Sequence, residues 1–208
     1  MRLIDPFHVD PGSLVIVPGA FNPPTRAHVI LARAAMAAAD AVLFTVPSTL
    51  PHKEFTGASL EQRLAMLARI TASDHRLGTA VAAGGLYADI AHEARESFPG
   101  ARISLLCGRD AAERIVNWPY DQPEVLERML SECELLVASR YGAYEPPEHL
   151  RARVRGLSTP NLDEFSSTRL REMLAAGEDW SPLAPEEIVD LIEEIYSPTL
   201  ASRKARNR

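Results

Sequence analysis

LVIVPGAFNPPTRAH, residues 14–28, decides the fold of this chain. The apolar run Leu14 to Val17 reads as a short buried strand. It passes into a turn, Gly19-Ala20-Phe21-Asn22-Pro23-Pro24, and a helical pattern then opens with His28 in its first turn. This order brings backbone N–H groups, the positive end of a helix and an imidazole around one point, which suits a phosphate. A second anion-binding candidate, Ser166-Ser167-Thr168-Arg169-Leu170-Arg171, lies near the other end of the chain. Two distant segments that each favour a polyphosphate predict one nucleotide site closed by both.

Outward from that stretch the pattern alternates. Strands are predicted at 14–17, 41–46, near 77–82, at 101–107, 134–139 and 152–157. Helices are predicted at 27–40, 59–70, 86–97, 108–116, 123–131, 166–177 and 185–196. Ser59 with Gln62 forms a capping box at the start of the second helix. Short, continuously apolar strands alternating with helices predict an α/β fold, a doubly wound parallel sheet, with a small C-terminal helical segment. In such sheets ligands lie outside the carboxyl ends of the strands. That rule gathers Gly19–His28, Pro47–Lys53, Gly108–Asp110 and Arg140 on one rim. Residues 1–12 read as an N-terminal extension, 13–198 as the domain (its helical part at about 160–198) and 199–208 as a basic tail.

The 208 residues suffice for one α/β domain with a full core. A net charge of −6 argues against a general affinity for nucleic acid. No apolar run reaches membrane-spanning length, and the first residues carry no secretory pattern. Cys107 and Cys133 lack a zinc-ligand spacing and read as buried free thiols, as in a reducing cytoplasm. The Gly-x4-Gly-Lys-(Ser/Thr) loop and a Gly-x-Gly-x-x-Gly turn after the first strand are both absent.

The candidate residues carry alternatives. His28 is a helix-start imidazole or a donor to an α-phosphate. Thr25 caps the helix, presents its hydroxyl to the same phosphate, or does both. Ser166, Ser167 and Thr168 form a helix cap; with exposed N–H groups, Arg169 and Arg171 they also suit an anion. Asp110 is a cap or an acceptor for a ribose hydroxyl, and Trp118 is core or a stacking platform.

At these residues the chain resembles a family. GAFNPPTRAH is similar to the Gly-x-Phe-x-Pro-x-(His/Thr)-x-x-His loop of nucleotidyltransferases, and FSSTRLR to their Ile-Ser-Ser-Thr-x-(Ile/Leu)-Arg signature. Within that group the chain resembles the nicotinate or nicotinamide mononucleotide adenylyltransferases. VPSTLPHKEFTGASLEQRLAML, LLCGRD, NWPYD, LLVASRYG and LAPEEIVDLIEEIYS follow in the family's order from Leu14 to Tyr196. Thr25 stands where His is commoner, Asn22 where Asp is frequent, and Arg109 where a small residue is usual. The stretch Tyr87–Asp89 matches a pyridine-holding Tyr-Thr-x-Asp-Thr-Leu segment only in part.

The resemblance implies a Rossmann-like nucleotidyltransferase. It implies adenylyl transfer from ATP, with Mg²⁺, to a pyridine mononucleotide in NAD biosynthesis. His28, Thr25 and Arg171 would be catalytic. ATP would meet Gly19, Ala20, Phe21, His28, Gly108, Asp110, Ser166, Ser167, Thr168 and Arg171. The mononucleotide would meet Asn22, Lys53, Trp118 and Arg140. No resident metal site, nucleic acid or membrane partner is implied, and a homo-oligomer is left open. Two other readings stand beside it: the same ATP site with another phosphorylated acceptor, and a non-catalytic nucleotide-binding protein.

Overall fold

A computed structural model describes residues 1–7, 9–49, 57–120, 122, 124–139, 144–162 and 164–206, with the backbone alone at 139 and 198–206. In chain order the elements are β1 (Arg2–Asp5), β2 (Ser13–Pro18), α1 (Arg26–Ala35), β3 (Ala41–Pro47), α2 (Leu60–Thr71), β4 (Leu77–Ala82), α3 (Tyr87–Ser97) and β5 (Arg102–Gly108). There follow α4 (Arg109–Asn117), α5 (Glu124–Glu132), β6 (Glu134–Ser139), β7 (Val154–Ser158), α6 (Ser167–Ala176) and α7 (Val189–Arg206).

The strands form one sheet in the order β1-β4-β3-β2-β5-β6-β7. Every pairing is parallel except that of β1 with β4. Progression along the sheet reverses at β2, which pairs with β3 on one side (Val17 beside Phe44) and β5 on the other (Ile16 beside Leu105). A reversal of this kind opens a crevice at the carboxyl ends of the two central strands.

The alternation of strand side chains splits the core into two layers. Val15, Val17 and Phe44 face Met66, Leu67, Leu170, Ile188 and Ile192 of the α2, α6 and α7 side. Leu14, Ile16, Leu43 and Leu105 face Ile90, Ala94 and Met129 of the α3 and α5 side. With both faces covered, a strand must be apolar throughout; β3 and β4 are buried along their whole length. Each fully buried Leu or Ile contributes roughly 1.5–3 kcal/mol.

The doubly wound parallel sheet expected from the alternation is present, with one departure at the edge. Residues 2–5, inside the stretch set apart as an extension, pair with β4 as an antiparallel strand, and the Thr71 hydroxyl donates to the Asp5 carboxylate at 2.5 Å. The helix predicted over 27–40 ends at Ala35. The N–H groups of Ala37 and Ala38 bond three residues back, and the Asp40 carboxylate accepts from the Ser13 N–H and hydroxyl at 2.8 and 2.9 Å. Those bonds turn the chain into β3 beside β2. At the C-terminus a short turn, Glu186–Ile188, precedes α7, which runs on to Arg206.

Candidate active site

Two cavities flank the start of α3. The smaller, about 190 Å³, lies at the ends of β2 and β5 and is lined by Pro18, His28, Tyr87, Cys107 and Gly108, with Leu162 beyond β7. The larger cleft, about 780 Å³, opens between α3 and α5 and is lined by Leu86, Asp89, Trp118, Tyr120, Arg128 and Met129. The start of α3 separates them: Tyr87 faces the smaller space, Leu86 and Asp89 the larger. Glu93 fixes the chain before α3, accepting from the Ala83 and Gly84 N–H groups at 3.0 and 2.8 Å.

The loop after β2 and the start of α6 are in direct contact. The Thr25 hydroxyl donates to the Phe165 carbonyl at 2.9 Å, and the Ser167 hydroxyl donates to the Pro23 carbonyl at 2.7 Å. The Arg171 guanidinium donates to the Asn22 carbonyl and reaches the Thr168 hydroxyl at 3.4 Å. Residues about 140 apart in sequence thus share one hydrogen-bonded seam.

His28 is the third residue of α1. The Thr25 N–H donates to its Nδ1 at 2.9 Å, completing a capping box in which imidazole replaces the usual Glu or Gln. A backbone N–H can only donate, so Nδ1 carries the lone pair and the proton resides on Nε2. Desolvation by burial lowers the His28 pKa to about 4. The ring is therefore neutral at physiological pH and carries an N–H donor on the nitrogen away from the cap. Phe21 supports it edge-on, with ring centroids 5.0 Å apart, and packs in turn on Phe44 at 5.6 Å.

Several side chains expected to face a ligand face protein instead. Thr25 is fully buried and its hydroxyl is taken by the Phe165 carbonyl, so it joins the two loops. Phe21 is buried; it holds a left-handed backbone (φ 48°), and its ring fills the space beside Gly19. Gly19 makes room for that ring. Asn22 is also buried, its Oδ1 accepting from the Ala58 N–H at 3.1 Å and the Tyr196 hydroxyl at 2.5 Å. The Ala20 carbonyl accepts from Arg63 at 2.9 Å. Ser166 caps α6, accepting from the Arg169 N–H at 3.1 Å, so with Ser167 spent on Pro23 only Thr168 keeps an exposed hydroxyl.

Gly108 lines the smaller cavity, and Asp110 lies exposed in the first turn of α4. Arg109 pairs with Glu113 at 3.1 Å on the surface. Trp118, 41 % exposed, lines the larger cleft. Lys53 and Arg140 lie outside the described residues. Three positions were not singled out as site residues from the sequence. Tyr87 lines the same cavity as His28, and burial raises its phenol pKa. Arg63 and Tyr196 brace the loop after β2. The only sequence signal for Tyr87 was its place in the partial pyridine-segment match.

A strand, a Gly turn and a helix start at a topological switch point, sealed by a second Ser/Thr/Arg helix start, define a nucleotidyltransferase site. The comparisons agree. Residues 16–173 match the cytidylyltransferase-like family model. A probable nicotinate-nucleotide adenylyltransferase of Gloeobacter violaceus is 32 % identical, over 87 % of this chain and 93 % of its own length. One of Thermosipho melanesiensis is also 32 % identical, over 88 % and 96 %. The chain belongs to the cytidylyltransferase-like family, in its nicotinate-nucleotide adenylyltransferase branch. Its fold is also that of the Plasmodium falciparum nicotinic acid mononucleotide adenylyltransferase solved with NaAD (TM-score 0.65, 16 % identity, 88 % of this chain and 95 % of that one).

Proposed function

We propose that this chain transfers the adenylyl group of ATP to nicotinate mononucleotide, or to its nicotinamide counterpart, in NAD biosynthesis. The observation that carries the reading is the seam between the two phosphate-binding segments, Thr25 to Phe165 and Ser167 to Pro23, beside the cavity that His28 lines.

The 5′-phosphate oxygen of the mononucleotide attacks the α-phosphorus of ATP. The new P–O bond forms as the bond to the β-phosphate bridging oxygen breaks, and pyrophosphate leaves. The nucleophile is already ionised near neutral pH, so positioning and charge stabilisation do the work. Neutral His28 donates from Nε2 to an α-phosphate oxygen as it gains charge. The N–H groups at the start of α6, Thr168 and Arg171 hold the β- and γ-phosphates. To reach them, Arg171 exchanges its bond to the Asn22 carbonyl for a phosphate oxygen.

Among the described residues no three His, Cys, Asp or Glu side chains gather around one point that could hold a metal ion. Mg²⁺ would arrive on ATP and share its phosphate charge. Gly108 and Asp110 border the adenosine, while Trp118 and the larger cleft receive the pyridine, with Lys53 and Arg140 completing the mononucleotide site. The catalytic domain takes in the whole sheet, from the edge strand β1 onward, together with α7. Two buried free thiols suit a cytoplasmic setting. No helix among the described residues is long and apolar enough to cross a membrane.

Pyrophosphate release measured across a panel of phosphorylated acceptors tests the reading. Turnover with nicotinate or nicotinamide mononucleotide at least tenfold above phosphopantetheine is expected. Preference for a non-pyridine acceptor would favour a sister transferase, and ATP binding without any turnover would remove the enzyme reading.

A further inference from the structure

We infer that Tyr196, on α7, is a positioning residue for the nucleotide site: its hydroxyl sets the loop after β2 through Asn22. The inference rests on the nucleotide reading above. Tyr196 is 5 % exposed, and its ring belongs to the core layer with Leu170, Ile188 and Ile192. A phenylalanine would fill the same volume. A buried hydroxyl is costly unless it is hydrogen-bonded, so this one has to be matched to a partner. The partner is Asn22 Oδ1, at 2.5 Å.

That oxygen also accepts the Ala58 N–H, which fixes the amide's orientation, since a backbone N–H requires an acceptor. Gly57 makes the contact possible. Its φ of +127° is a conformation that side-chain-bearing residues rarely adopt, and a β-carbon there would lie 2.6 Å from Asn22 Oδ1. The backbone of Asn22 in turn carries the carbonyl on which Arg171 rests. Asn22 thus joins α7 and the chain before α2, through its side chain, to α6, through its backbone. Pro23, Thr25 and the His28 cap follow directly from it. Arg63, itself buried, braces the same turn by donating to the Ala20 carbonyl. Tyr196 touches neither cavity; its effect passes through Asn22 to His28 and Arg171.

The test compares Tyr196→Phe with Ile192→Val in the full chain. Ile192 lies one turn earlier on α7 and is fully buried, so its truncation disturbs helix packing without touching the hydroxyl. Calorimetric titration with MgATP and steady-state turnover are read for both variants, alongside thermal melts. Misplacement of a catalytic loop by a fraction of an ångström can lower rates by an order of magnitude or more. Tyr196→Phe is expected to weaken MgATP binding about fivefold and lower kcat about tenfold, with KM for the mononucleotide within twofold. Ile192→Val is expected to lower the melting temperature and leave both readouts within twofold of wild type.

The double variant Asn22→Ala/Tyr196→Phe should lose less than twofold beyond Asn22→Ala alone, because both act along one path. Equal losses in Tyr196→Phe and Ile192→Val, unchanged binding and kcat in Tyr196→Phe, or additive losses in the double variant would each overturn the inference. A wild-type chain that binds MgATP but uses a different acceptor would correct the acceptor assignment, and the binding comparison would still decide the role of Tyr196.

Discussion

His28 joins two functions that substitution can separate. Its Nδ1 accepts the Thr25 N–H and caps α1, while its Nε2–H is the donor assigned to the α-phosphate. His28→Ala removes both. Loss of the capping contact costs about 1 kcal/mol of stability, and loss of one preorganised donor lowers kcat by about 10²–10³-fold. His28→Gln keeps an acceptor able to close the capping box but moves the donor, so stability at pH 7 should stay within about 1 kcal/mol of wild type while kcat still falls.

The same pair separates in acid. The folded state holds the His28 pKa near 4, below its ordinary 6.5, so the unfolded chain takes up the proton first. Stability therefore falls as pH drops from about 6.5 towards 4 and is unaffected by this group below that. At about 1.4 kcal/mol for each pH unit, the loss approaches 3 kcal/mol. His28→Gln lacks this titration and should lose correspondingly less over the same interval. Urea melts at pH 7, 5.5 and 4.5, with steady-state kinetics at pH 7.5, read both functions. A kcat for His28→Ala within threefold of wild type would take His28 out of the mechanism. Equal acid sensitivity of wild type and His28→Gln would refute the neutral imidazole.

Trp118→Ala should raise KM for the pyridine mononucleotide about tenfold or more and leave KM for ATP within twofold, as initial-rate kinetics with each substrate varied would reveal. Gly57→Ala should destabilise the fold by about 2 kcal/mol or more in thermal melts, because φ is +127° and the β-carbon would strike Asn22. Arg69→Ala should change stability by less than about 0.5 kcal/mol, since the Arg69–Asp190 pair lies on the surface; a larger loss in the same melts would mean the pair holds α7.

The elements legible in the sequence were those that local chemistry specifies. β2 to β6 are apolar runs bounded by turns. The α2 start was readable from Ser59 and Gln62, which close a reciprocal box at 3.2 and 2.8 Å. β1 was not readable, because four residues with charges at both ends carry no period of their own. The free edge of β4 and the bond between Thr71 and Asp5 make them a strand.

The site divides in the same way. That GAFNPPTRAH and FSSTRLR would form a strand–turn–helix and a capped helix start is local information. Which way their side chains point is not. Thr25 turns to Phe165, Asn22 to Ala58 and Tyr196, and Ser167 to Pro23, partners from 36 to 174 residues away. Thr25, Asn22 and Ser167 hold the loop through these bonds, and the imidazole, the α6 amides, Thr168 and Arg171 are the groups proposed to meet the phosphates.

The most direct measurement is a crystal structure of the chain with MgATP bound as a non-hydrolysable analogue. The account predicts an α-phosphate oxygen within hydrogen-bonding distance of His28 Nε2 and the terminal phosphates on the first turn of α6. A triphosphate seated away from either group would contradict it.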